Sequence, residues 1–77
     1  MLDSHYQSGE EIRAGDWIEL AGVPGRVVFV LETESYSPGF TAENWSYLGR
    51  GFMIESASMG LVFQVAADED LTLVKRV

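Results

Sequence analysis

Apolar and polar positions alternate with a period of two at residues 16–20, where Ile18 and Leu20 share one phase and Trp17 and Glu19 the other. That period predicts a β-strand with one face buried. The next five residues, Ala21-Gly22-Val23-Pro24-Gly25, read as a turn, since proline pre-sets φ and glycine reaches positive φ. Residues 26–33 form the strongest predicted strand, and the unbroken run Val27-Val28-Phe29-Val30-Leu31 implies that both of its faces are covered for part of its length. Residues 34–51 lose the alternation. Pro38-Gly39 marks a turn there, and Thr41 caps a short helix or 3-10 turn over 42–48 that Gly49 closes. Strands are predicted again at 52–55 and 61–65, joined by 56–60, and a closing strand at 71–74 follows the turn at 66–70.

Five short strands with closely spaced turn signals predict an all-β fold closed as a small barrel, because closure removes the sheet edges. Residues 1–10 are polar, with Ser8-Gly9 among them, and read as a flexible or irregular arm; residues 11–77 form the single domain. A chain this short buries only about 60% of the surface it exposes when unfolded. The 47% hydrophobic fraction supplies a dense core. No cysteine is present, so disulfides and thiolate metal sites are absent, which fits a reducing compartment. With no basic, apolar leader and no run near the roughly 18 apolar residues of a membrane span, the expected location is cytoplasmic.

Charge changes the picture more than composition does. Residues 32–70 hold seven acids and one base, Arg50, for −6 of the net −7; the remainder holds five acids and four bases. Such a balance repels a phosphate backbone and argues against a nucleic-acid partner. Catalytic chemistry is scarce. His5 is the sole histidine and lies in the polar arm, so Ser/His/Asp and Cys/His pairs are not available, and Asp3 with His5 supplies too few ligands for a metal. Glu32 and Glu34 share one strand face, but a chain of this length lacks the walls that a carboxylate acid/base pair needs. Neither enzyme activity nor a cofactor is expected.

Residues 15–30 resemble the KOW-type hairpin that opens many SH3-like barrels of ribosome-associated and transcription proteins. Gly15-Asp16, the alternating strand, and Gly22-x-x-Gly25-x-Val27 carry the resemblance. It implies a five-stranded SH3-like barrel, with a partly open OB-like barrel as the second choice. KOW domains that hold RNA are basic, whereas this chain is acidic, so the resemblance supports the fold rather than RNA binding. In overall character the chain is also similar to the small acidic immunity proteins that bacteria pair with secreted toxins, which implies inhibition by covering a toxin's basic surface.

The residues expected to carry such binding are aromatic and acidic. Tyr36, Phe40, Trp45 and Tyr47 fall within the stretch least like a buried strand, and Trp and Tyr are enriched at interface hot spots. Phe40, with Trp45 or Leu48, is expected to plug the barrel end. Glu32, Glu34 and Glu43 surround the cluster in sequence, and Asp68, Glu69 and Asp70 add a second acidic run that reads as a solvated turn able to face a basic partner. The expected partner-binding set is therefore Glu32, Glu34, Tyr36, Glu43, Trp45, Tyr47, Asp68, Glu69 and Asp70. The partner is another protein, the membrane is not involved, and the chain itself is a monomer or a weak homo-oligomer.

Overall fold

A computed structural model describes residues 5–67 and 69–76. Six strands form one antiparallel sheet: β1 (Trp17–Leu20), β2 (Val23–Val30), β3 (Ser35–Tyr36), β4 (Phe52–Ser56), β5 (Gly60–Gln64) and β6 (Leu71–Lys75). The sheet order is β5-β4-β2-β1-β6, with the short β3 paired to β2 off this path. One helical turn, α1 (Ala42–Trp45), runs into a 3-10 turn at Ser46–Leu48, and Gly49 closes it with φ 86°. A small, mostly β fold with one short helix is thus present. The sheet has six strands where five are expected, and its ladder is open, with no pairing joining β5 to β6 among the described residues. The sheet nevertheless wraps a single main core, because Val62 of β5 and Leu73 of β6 pack against the same cluster of Ile18, Leu20, Val27, Val30, Phe52 and Ile54.

The first hairpin departs from its expected form. Its turn is only Ala21-Gly22, with φ 53° and 81°, the mirror-image two-residue geometry whose twist matches that of the flanking strands. Pro24 and Gly25 lie inside the ladder, opposite Glu19 and Ile18. Gly25 is required by crowding rather than by φ, since a Cβ there would stand 2.9 Å from the Glu55 carbonyl oxygen. Gly22 does take the positive φ that glycine tolerates.

The apolar run of β2 is explained by a bulge. Val27 pairs with Ile54 and Phe29 with Met53, so Val28 is an extra residue and the alternation skips a step. Val27 and Val30 therefore enter the main core, while Val28, Phe29 and Leu31 join Met53 in a second cluster on the outer face.

The N-terminal lead-in is held to the sheet by a buried polar centre. Tyr6 and Ile12 enter the main core. Asp16, 2% exposed, accepts the Tyr6 hydroxyl proton at 2.6 Å and the Arg13 N–H at 3.0 Å, both on Oδ2. The Arg76 guanidinium lies 3.9 Å from the same oxygen and also donates to the Glu11 carbonyl. Burial, followed by the hydrogen bond to Asp16, holds the Tyr6 hydroxyl far above the ordinary tyrosine range. The Gln7 side chain donates to the Ala67 carbonyl. The lead-in is thereby tied beyond the ends of both edge strands.

Candidate functional site

Residues 31–50 fold back over the outer face as a flap, and Phe29 is the post on which it rests. The Phe29 ring centroid lies 5.3 Å from Trp45, 5.7 Å from Tyr36 and 6.1 Å from Phe40. Phe40 and Trp45 also touch, at 6.2 Å. Tyr36, Phe40, Trp45 and Leu48 are all partly buried against Val28, Phe29, Leu31 and Met53. The bulge makes this possible, since regular alternation from Val27 through Val28 would point Phe29 into the main core. Tyr47 is different: it stands 77% exposed on the 3-10 turn and belongs to neither core.

The acids take three situations. Glu34 and Glu43 are exposed on the flap, and Glu34 holds φ 53°, a left-handed conformation unusual for a residue with a Cβ. Glu32 is exposed too, but both its carboxylate oxygens accept the Gly51 N–H, at 3.0 and 3.1 Å, which clamps the end of the flap to the start of β4. Glu69 and Asp70 stand by the first hairpin, where the Asp70 carbonyl accepts the Ala21 N–H at 3.0 Å. They are at the opposite end of β2 from the turn that carries Glu32 and Glu34. Asp68 lies outside the described residues. Aromatic and acidic side chains therefore meet on the flap, and the second acidic run stands apart from it.

A second feature lies on the uncovered end of the outer face. Strand register aligns Lys75, Trp17, Arg26, Glu55 and Leu61 in one row across β6, β1, β2, β4 and β5. Directly opposed residues of neighbouring strands share a face. The Arg26 guanidinium lies 5.7 Å from the Trp17 ring centre, within cation–π range. A groove of about 410 Å³ opens between Trp17 and Arg26 on one side and Glu55 and Ser56 on the other, with Gly25 in its lining. The Arg26 Nε is buried and makes no hydrogen bond among the described residues. Trp17 and Arg26 both lie outside the partner-binding set expected from sequence. The signal was nevertheless present: an aromatic occupies the solvent phase of an alternating strand, and Trp17 is 42% exposed.

Among the described residues no group of three or more His, Cys, Asp or Glu side chains is placed to hold a metal ion, and no helix is long and apolar enough to cross a membrane. Comparison with protein-family models, with curated proteins and with solved structures finds no match for this chain.

Proposed function

We propose that this protein is a non-enzymatic binding module of the immunity type, which blocks a toxin by lying across its basic surface with the flap at residues 31–50. The observation that carries this reading is Tyr47. A ring 77% exposed on a flap seated on Phe29, with Glu34 and Glu43 exposed on the same flap, offers an aromatic anchor within an acidic rim. Tyr36, Phe40 and Trp45 hold the flap to the sheet from beneath and leave Tyr47 facing outward. Glu32, Glu34 and Glu43 speed encounter with a cationic partner, and Glu69 and Asp70 extend the negative field at the far end of β2. For the fold beneath, we propose an SH3-like small barrel whose hydrogen-bonded ladder is left open between β5 and β6. Its support is the strand order, which sets the last long strand beside the first, and the two edge strands packed on one core.

The test is a side-by-side capture from the native cell with wild type, the Tyr47→Ala variant and the combined Glu32→Gln, Glu34→Gln, Glu43→Gln variant as baits. The expected result is a basic protein retained by wild type, with its association rate falling in the triple variant and its dissociation rate rising in Tyr47→Ala. Unchanged rates and unchanged salt dependence in both variants would sink the reading.

A second reading rests on the Lys75–Trp17–Arg26 row. An aromatic flanked by two cations is the arrangement that single-stranded nucleic acid uses for stacking and phosphate contact. The row lies mostly on the hairpin that resembles KOW domains, which favours an accessory role in transcription or translation. Binding of an RNA oligonucleotide at ~150 mM salt, lost in Trp17→Ala, would favour this reading over the first.

A further inference from the structure

We propose that the outer edge of β5 is a self-association surface, at which two copies of the chain join their sheets antiparallel about a two-fold axis. The inference is independent of the acidic, aromatic flap. Among the described residues the main ladder ends in two strands with a single neighbour each, β5 and β6. An edge strand presents unpaired N–H and C=O groups that accept another strand unless charge, proline or a bulge guards it. On β6 the guards are present. The register slips between Leu73 and Lys75, leaving Val74 as a bulge, and Lys75 and Arg76 bring positive charge.

On β5 they are missing. Residues 56–67, Ser-Ala-Ser-Met-Gly-Leu-Val-Phe-Gln-Val-Ala-Ala, contain neither a charged side chain nor a proline. Their centre, Leu61-Val62-Phe63-Gln64-Val65, has the β-branched and aromatic content that favours strand addition. Exposure points to the same edge. Met59 at 52%, Leu61 at 48% and Val65 at 40% are half of the six large hydrophobic residues that stand exposed among those described.

Charge selects a second copy as the occupant. A chain of net charge −7 repels its own kind over most of its surface. Two-fold pairing sets each segment against its own equivalent, so it tolerates no charge at the contact, and the uncharged 56–67 edge meets that condition. Pairing β5 to the next copy's β6 would instead meet a bulge, where ladder register breaks. The two-fold arrangement also consumes both β5 edges and cannot extend into a fibre. One five-residue strand pair is below the ~1,000 Å² of a stable interface, so the dimer is weak, with Kd on the order of 10–100 μM.

Sedimentation equilibrium across a range from ~5 to ~500 μM tests this. The average mass is expected to rise from 8.5 kDa toward twice that value. Leu61→Lys is expected to weaken association at least ten-fold, while Val74→Lys on β6 leaves it unchanged. Leu61 is exposed, so the variant keeps its fold; if its circular dichroism nevertheless shows unfolding, Val65→Lys serves with the same expected loss. A wild type that stays monomeric throughout overturns the proposal. So does association insensitive to Leu61→Lys and Val65→Lys, abolished by Val74→Lys, or continuing beyond the dimer.

Discussion

Replacing Asp16 with alanine removes one carboxylate oxygen on which three groups converge. Tyr6 O–H at 2.6 Å and Arg13 N–H at 3.0 Å donate to it, and the Arg76 guanidinium stands 3.9 Å away. Hydrogen bonds to a charged partner contribute about 1.5–3 kcal/mol each, and the donors left behind lose their partner inside the protein. The Tyr6 ring is 3% exposed, so water reaches its hydroxyl poorly. Breaking a buried charged centre from one side costs about 3–5 kcal/mol, which is the expected loss for Asp16→Ala. A chain of this length has a total stability of about 4–12 kcal/mol, so the variant loses roughly a quarter of it or more. Tyr6→Phe removes one of the three partners and is expected to cost about 1–2 kcal/mol. The assay is urea unfolding followed by far-ultraviolet circular dichroism, run as a double-mutant cycle on Tyr6 and Asp16. Coupling of about 1 kcal/mol or more is expected, because in the Asp16→Ala background the tyrosine hydroxyl is already an orphan. An Asp16→Ala cost below about 1 kcal/mol, or strict additivity, would refute the argument that this oxygen ties the lead-in to the sheet.

Four further perturbations have outcomes set by burial, backbone conformation and packing. The Tyr6 hydroxyl is held above its ordinary range chiefly by burial, so the unfolded chain loses that proton near pH ~10 while the folded chain keeps it; stability intact below that pH falls as pH rises above it, and Tyr6→Phe flattens the fall in unfolding curves measured from pH ~9 upward. Gly51→Ala combines φ 113° with a Cβ only 2.5 Å from the Gln64 carbonyl oxygen and 2.7 Å from Phe63, and is expected to cost about 2–5 kcal/mol in chemical denaturation. Ala21→Asn suits the left-handed first position of the hairpin turn, φ 53°, better than alanine does; it is expected to add about 0.5–1 kcal/mol, read as a rise in Tm of about 2–8 °C. Phe29→Ala takes away the ring beneath Tyr36, Phe40 and Trp45, and is expected to cost about 3–5 kcal/mol with tryptophan emission shifting to the red as Trp45 becomes wet.

Local pattern made most of the elements legible. The alternation of Ile18 and Leu20 marked β1, Gly49 marked the end of the helical stretch, and the strands at 52–56, 60–64 and 71–75 fell where apolar runs stood between turn residues. What stayed hidden depends on contacts between distant segments. Pro24-Gly25 reads locally as a turn, and only the approach of the Glu55 carbonyl shows why a glycine is needed inside a strand. The unbroken run at 27–31 announced two covered faces but not the bulge that assigns each side chain to one of them. Tyr6 sits in a polar stretch, and its burial depends on Asp16, ten residues on. For the flap, the aromatic cluster was visible while its division was not: a sequence cannot separate Tyr47, which is exposed, from Trp45, which is packed on Phe29, until the bulge has turned Phe29 outward. Trp17 and Arg26 become neighbours only when the register of β1 and β2 is known.

The single extra residue at Val28 also divides the molecule mechanically. Because the two apolar clusters draw on the same strands, β2 and β4, but share no buried side chain, lifting the 31–50 segment away breaks the outer cluster, the short β2–β3 pairing and the Glu32–Gly51 clamp while the main cluster stays packed. Amide protons of that segment therefore exchange through a cheaper local opening than those of β1 and β2. Substitutions on the exposed side of that segment are therefore expected to leave the unfolding of β1 and β2 unchanged.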